Sequence, residues 1–331
     1  MDHFEVNHSR AEELGGIVSR LGYEPVSFHF PQLFPPLDDF IYTHYVFFMV
    51  AIDHRTHGTK RFEGTIDGEF YHGSDLMFYL ARRAQKKDPY LFTARRLVDV
   101  SEEDVASIFT IGDRVVSNPS QRAALLQDAA KKLLEYHDGD VRNIFESSSG
   151  DLTREDGKGI LQLLKSFKAY EDPLQKKSFL LVKLLRRQNL LTIKDIHNLK
   201  FPVDNVLMTI ALQSGLLKVK DKGLERKLLE ESLLSDEEVI QLRKATQNAF
   251  ELVSRASGLG PDILDDLLWT YGREVDSDEG EVDLEAISTV LDGNIDHKLA
   301  LKDFLSFISG KDRTESDHKL KKPQMPDTWY F

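Results

Sequence analysis

One stretch, Lys177 to Leu217 (KSFLLVKLLRRQNLLTIKDIHNLKFPVDNVLMTIALQSGLL), constrains this chain more than any other. It begins with a lysine on an apolar segment of helical period and runs into a Pro202-Val203-Asp204 turn that opens a second helix. A carboxylate two residues after that proline falls at the helix N-terminus. There its oxygen meets free backbone amides, and the macrodipole favours negative charge. Gly215 marks the end of the same helix. From these residues alone the alternatives stay open: Asp204 can be a cap and no more, and Lys177, beside Lys176, can be an ordinary surface lysine.

With 331 residues the chain has room for one large or two ordinary domains. Its 41% hydrophobic and 30% charged content is that of a soluble globular protein. The longest apolar run, FIYTHYVFFMVAI (40–52), is too short to span a membrane and contains His44. The polar start MDHFEVNHSRAEELGG is no secretory signal, so a cytoplasmic protein without membrane partners is expected. The absence of cysteine excludes disulfides and thiolate metal sites. A net charge of -12 argues against extensive contact with a phosphate backbone, although it leaves room for a local basic groove.

The pattern is mainly helical. A helix is expected over residues 1–20, then an extended, proline-rich segment over 25–39. Residues 40–53 are apolar on every side, so periodicity cannot decide between helix and strand. Asp67-Gly68, between alternating residues of RFEGTIDGEFYHG (61–73), signals a tight hairpin. From Ser74 onward helices dominate, with capping signals at Ser101 and Ser235. The expected organisation is an N-terminal helix, extended segment and hairpin (1–73), a helical core (74–273), and an acidic linker with a helical appendage and tail (274–331). The closing MPDTWYF is apolar again, which predicts that the terminus docks back onto the protein.

Several short features recur in a definite order. They are VFFMVAIDHRTHG (46–58), FEGTIDGEFYHGSDLMFYLARRA (62–84), VSEEDVASIF (100–109), QKKSFLLVKLL (175–185), Phe201 with Asp204 and Gly215, EEVIQLRKATQNAFELV (237–253), and Leu268-Trp269 with Tyr271. In this order the chain resembles the queuosine salvage proteins, N-glycosylases acting on queuosine nucleotide, within the helix-hairpin-helix DNA glycosylase superfamily. Lys177, Ser178, Val182 and Lys183, followed by the Pro-x-Asp turn, also resemble the archaeal 8-oxoguanine DNA glycosylases.

The first resemblance implies a helix-hairpin-helix glycosylase-like core with a small hairpin near the N-terminus. It implies a cytoplasmic hydrolase that needs no cofactor and serves tRNA-modification salvage. The reaction would be cleavage of the N-glycosidic bond of a modified nucleoside or its 5′-phosphate. Asp204 would stabilise or attack the ribosyl C1′, with Lys177 as the second catalytic candidate. Asp53, His54, Arg55, His57, Phe201, Trp269 and Tyr271 are the candidates for binding the substrate. The second resemblance implies a base-excision DNA glycosylase and lyase using Lys177 and Asp204. A relative that only binds a nucleotide or a protein is a third reading.

Two departures matter. Where the queuosine salvage proteins carry an Asn-Phe-x-Phe-Trp-like aromatic patch, this chain has Asp53, His54, Arg55, Thr56 and His57. Its Trp269-Tyr271 box has Thr270 in place of aspartate. Asp53, His54 and His57 with His44 form only a weak metal pattern, and no metal is assigned. The segment DIHNLKFPVD (195–204) has no glycine, whereas DNA-binding hairpins of this superfamily present glycine amides to phosphate. Weak or no binding to duplex DNA is therefore expected.

Overall fold

A computed structural model describes residues 3–23, 30–56, 58, 60–275, 298–313 and 320–331. The chain forms two compact units: Met1–Val26 with Leu199–Asp327, and Ser27–Asn198 with Thr328–Phe331. The sequence-based boundaries at 73 and 273 do not coincide with these units, because the first residues group with the C-terminal third. The expected acidic linker and part of the appendage lie outside the described residues.

As the sequence pattern predicts, the protein is mainly helical. The chain starts with β1 (Phe4–Val6) and α1 (His8–Arg20), the latter capped by Asn7. The expectation of one helix over 1–20 is thus corrected at its start. Phe4, Glu5 and Val6 pair antiparallel with Val219, Lys218 and Leu217, partners far along the chain that no local pattern reveals.

In the second unit, α2 (Asp39–Ala51) settles the ambiguous apolar run as a helix. The Asp38 carboxylate caps it by accepting from the Ile41 amide at 2.8 Å. Every residue from Tyr42 to Ala51 is buried, so this helix has no polar face. Some of its polar groups find partners: Tyr45 donates to the carbonyls of Leu33 and Phe78, and Tyr170 donates to that of Phe47.

β2 (Glu63–Ile66) and β3 (Glu69–His72) form the expected hairpin. Asp67 and Gly68 take φ of 53° and 88°, the left-handed pair that this two-residue turn requires. α3 (Gly73–Lys87), α4 (Ala94–Leu97) and α5 (Glu102–Ile108) follow; the last opens on a Ser101–Asp104 capping box. The two-residue strands β4 (Thr110–Ile111) and β5 (Arg114–Val115) lead to α6 (Pro119–Tyr136), α7 (Arg142–Ser148) and α8 (Ile160–Leu164). A 3-10 turn at Lys168–Tyr170 precedes α9 (Lys176–Arg187). The helix expected over 192–198 is only a 3-10 turn, Ile196–Asn198.

The chain then rejoins the first unit with α10 (Asn205–Gln213), β6 (Leu217–Val219), α11 (Lys222–Leu229), α12 (Asp236–Ser257), α13 (Pro261–Val275) and α14 (Lys298–Ile308). Gly215 takes the left-handed φ of 72° expected after a helix end. The aromatic terminus belongs to the second unit, where the Trp329 indole donates to the Lys168 carbonyl at 3.1 Å.

Two adjacent glycines of α1 should respond oppositely to alanine. A Cβ on Gly15 would lie 2.4 Å from Ala256 Cβ and 3.1 Å from its backbone carbon, where α1 packs on α12. Gly15→Ala is expected to destabilise by about 1–3 kcal/mol through overpacking. A Cβ on Gly16 meets only the Arg20 guanidinium at 3.7 Å, so Gly16→Ala should stabilise by about 0.5–1 kcal/mol. Urea denaturation of the two variants checks both signs.

Candidate active site

Within the second unit, the end of α2 delivers an irregular segment, Ile52 to Thr56, in which Asp53, His54 and Thr56 are buried and Arg55 is exposed. Irregular backbone in an interior needs partners for its carbonyls. Arg122 supplies them. Its side chain is fully buried on the face of α6 shared with Leu126, Ala129 and Leu133. The guanidinium donates to the carbonyls of Ile52, His54 (3.0 Å), Arg55 (2.8 Å) and Ser117 (2.9 Å). Sequence reasoning missed this residue. The signal was present, since an arginine on an otherwise apolar helix stripe must find buried acceptors.

The first turn of α9 faces this segment. Gln175 enters the helix with φ of 57°, and the Asp172 carboxylate accepts from the Lys176 amide at 2.8 Å. Lys176 and Lys177 are both buried, at 7% and 0% exposure, so the surface-lysine alternative for Lys177 is overturned. The Lys177 amine donates to the Ala51 carbonyl at 2.6 Å and lies 3.4 Å from His54 Nδ1. Ala51 O belongs to the last turn of α2, the negative end of that helix dipole. Asp53 accepts from the Ser74 hydroxyl at 2.6 Å and sits 3.6 Å from the Lys176 ammonium. Ser74 is a second residue that the sequence reading did not single out.

The charges explain the chemistry available here. Burial alone would raise Asp53, but the Lys176 cation, the Ser74 hydrogen bond, Lys177 and Arg122 outweigh it and hold the carboxyl below its ordinary value. Burial draws the Arg122 guanidinium down to about 10, with Asp53 opposing, and it stays charged at neutral pH. Lys176 and Arg122 therefore balance Asp53 and Asp172, and a charge on Lys177 would be the surplus. Burial first, then repulsion from Lys176 and Arg122, holds the Lys177 amine well below the usual lysine range, against the attraction of Asp53 and Asp172. Its place at the positive end of the α9 dipole acts in the same direction. A lysine in this state is a nucleophile or proton acceptor rather than a permanent cation.

In the first unit, Asp204 caps α10. Its Oδ1 accepts from the amides of Val206 (2.9 Å) and Leu207 (3.1 Å). Among the described residues no hydrogen bond reaches Oδ2. The turn before it is held from α12: the Gln247 amide donates to Phe201 O at 3.1 Å, and the buried Arg243 donates to Val203 O at 3.3 Å. Phe201 is fully buried against Phe250, with ring centroids 5.7 Å apart. Tyr271 is also a core residue, edge-on to Phe304 at 5.6 Å. Trp269 is half-buried, and the Arg273 guanidinium covers one face of its ring at 3.7 Å.

The structure thus joins Asp53, His54 and Lys177 in one unit, and sets Phe201, Asp204, Trp269 and Tyr271 in the other. His57 lies outside the described residues. His44 is engaged elsewhere: it joins α2 to the Gly139–Val141 turn. Among the described residues no cluster of three His, Asp or Glu could hold a metal ion, and no helix is long and apolar enough to cross a membrane.

Residues 39–290 match the profile of the queuosine salvage protein family, a span that includes both Lys177 and Asp204. The chain belongs to that family. No curated protein matches it. Among solved structures it is similar to the 8-oxoguanine DNA glycosylase of Pyrobaculum aerophilum, determined in complex with 8-oxoguanosine. The identity is 13%, the match covers 96% of this chain and 91% of that one, and the TM-score is 0.39.

Proposed function

We propose that this queuosine salvage family member hydrolyses the N-glycosidic bond of a modified nucleoside or nucleoside 5′-phosphate. Membership over residues 39–290 carries the reading. As the C1′–N bond breaks, its electron pair leaves with the base, and positive charge develops on the ribosyl ring. Asp204 meets that charge with a carboxylate aimed by its two amide bonds, either stabilising the oxocarbenium-like centre or attacking C1′. Water then supplies the hydroxyl at C1′, and its proton ends on the released base. Lys177 contributes a buried amine, for a proton or a polar contact of the substrate. Incubation with a panel of modified nucleosides, their 5′-monophosphates and lesion-bearing duplexes, read by mass spectrometry, should show base release from a monomeric substrate. Release from duplexes alone would sink the proposal.

One observation favours the second reading. A buried lysine held below its usual range is the kind of amine that forms an imine with C1′ in a glycosylase-lyase. The net charge of -12 and the glycine-free 195–204 segment speak against a DNA substrate. Borohydride is therefore expected to trap no complex with abasic or 8-oxoguanine DNA. A trapped species that vanishes in Lys177→Gln would establish the lyase instead. Affinity for undamaged duplex should be weak and fall steeply with salt.

A further inference from the structure

His54 occupies a position from which it can do one specific thing. Its ring is 4% exposed, with Nδ1 3.4 Å from Lys177 Nζ. On the other side, Nε2 makes no formed hydrogen bond and is shut off from solvent, and Gln121 Oε1 is a buried acceptor in the same condition. The Gln121 side chain is near enough to this imidazole to act on it, favouring its charged form against the burial. A neutral imidazole carries one acceptor nitrogen and one N–H. The amine already gives one hydrogen to Ala51 O at 2.6 Å and has another to place.

The groups around the pair are Asp53 beside α2, Lys176 and Asp172 at the start of α9, and Arg122 from α6. Burial first, and then Lys177, Arg122 and Lys176, keep His54 from charging. The imidazole is therefore available as an acceptor throughout the neutral range.

We propose that His54 is a positioning residue for the Lys177 amine: its unprotonated Nδ1 accepts a hydrogen bond from Lys177 Nζ, while its Nε2–H is held by Gln121 Oε1. The amine is then fixed between two acceptors, Ala51 O and His54 Nδ1, and cannot rotate freely. A neutral acceptor also favours the ammonium form, so His54 partly offsets the burial and repulsion that disfavour it. Any catalytic consequence rests on the glycosylase reading of Lys177, but the hydrogen bonds do not.

The test uses the full chain labelled with 15N-histidine and 13C-lysine. Nitrogen shifts assigned to His54 by their loss in His54→Gln should report the Nε2–H tautomer, unchanged as the pH falls from about 8 through the range where a free imidazole titrates. The Lys177 Cε signal, assigned by its loss in Lys177→Met, should titrate below the other lysines. In His54→Leu its midpoint should drop by a further one to two pH units, roughly the loss of one charge-assisted hydrogen bond. In His54→Gln, whose amide oxygen can replace Nδ1, it should stay near wild type. A His54 found in the Nδ1–H tautomer overturns the proposal, as does a Lys177 midpoint unmoved in His54→Leu. If His54→Leu fails to fold, the wild-type tautomer still decides. None of these readouts needs a substrate. Expected titrations without base release would reject the glycosylase reading alone, and base release with the wrong tautomer would reject only the role of His54.

Discussion

Asp204→Asn should lower base release by about a thousandfold or more while leaving the unfolding transition almost unchanged. Asparagine caps a helix as well as aspartate does, so the amides of Val206 and Leu207 keep an acceptor. What disappears is the negative charge, and with it both the stabilisation of a cationic ribosyl centre and the capacity to attack it. Asp204→Ala adds a second effect, the loss of the cap, worth about 1 kcal/mol. Comparing the two by single-turnover base release and by thermal unfolding separates the cap from the chemistry. Full activity in Asp204→Asn would leave Asp204 a cap and nothing else.

Arg122→Met should be among the most destabilising single substitutions in the second unit, at about 3–5 kcal/mol. The methionine fills much of the volume but leaves the carbonyls of Ile52, His54, Arg55 and Ser117 without their buried donor. Arg122→Lys should recover little, because a single ammonium cannot span acceptors arranged around a planar fork. The same change loosens the segment that presents Ala51 O and His54 to Lys177, so any activity should fall together with stability. Urea denaturation followed by circular dichroism measures the first effect. A cost below about 1 kcal/mol would mean that the segment carries its own conformation.

Much of the architecture was legible before any coordinates. Ser101 and Ser235 close capping boxes, the Asp67-Gly68 pair makes the tight hairpin, and Gly215 ends the helix that Asp204 begins. These features depend on backbone sterics and on hydrogen bonds within a few residues, which local sequence fully specifies. The order of short motifs that resembled the queuosine salvage proteins was legible too, and the family match over 39–290 agrees with it.

Other features needed the fold. β1 exists only because β6 offers it backbone partners more than two hundred residues away. The helix α2 could not be told from a strand, because a segment buried on all sides has no polar face to reveal its period. The state of Lys177 is the clearest case. The sequence places it on the apolar stripe of α9, with Leu181 and Leu184 in the turns that follow, but that placement is compatible with a lysine whose stem lies on the core and whose amine reaches water. Whether the amine is buried depends on acceptors and charges from elsewhere: Ala51 at the end of α2 and His54 just after it, Asp53 with Ser74, and the like charge of Arg122 from α6. Local sequence therefore marked where several of the helices start and stop. The tertiary structure decided which of their polar residues are desolvated, because desolvation is a property of everything packed around a group.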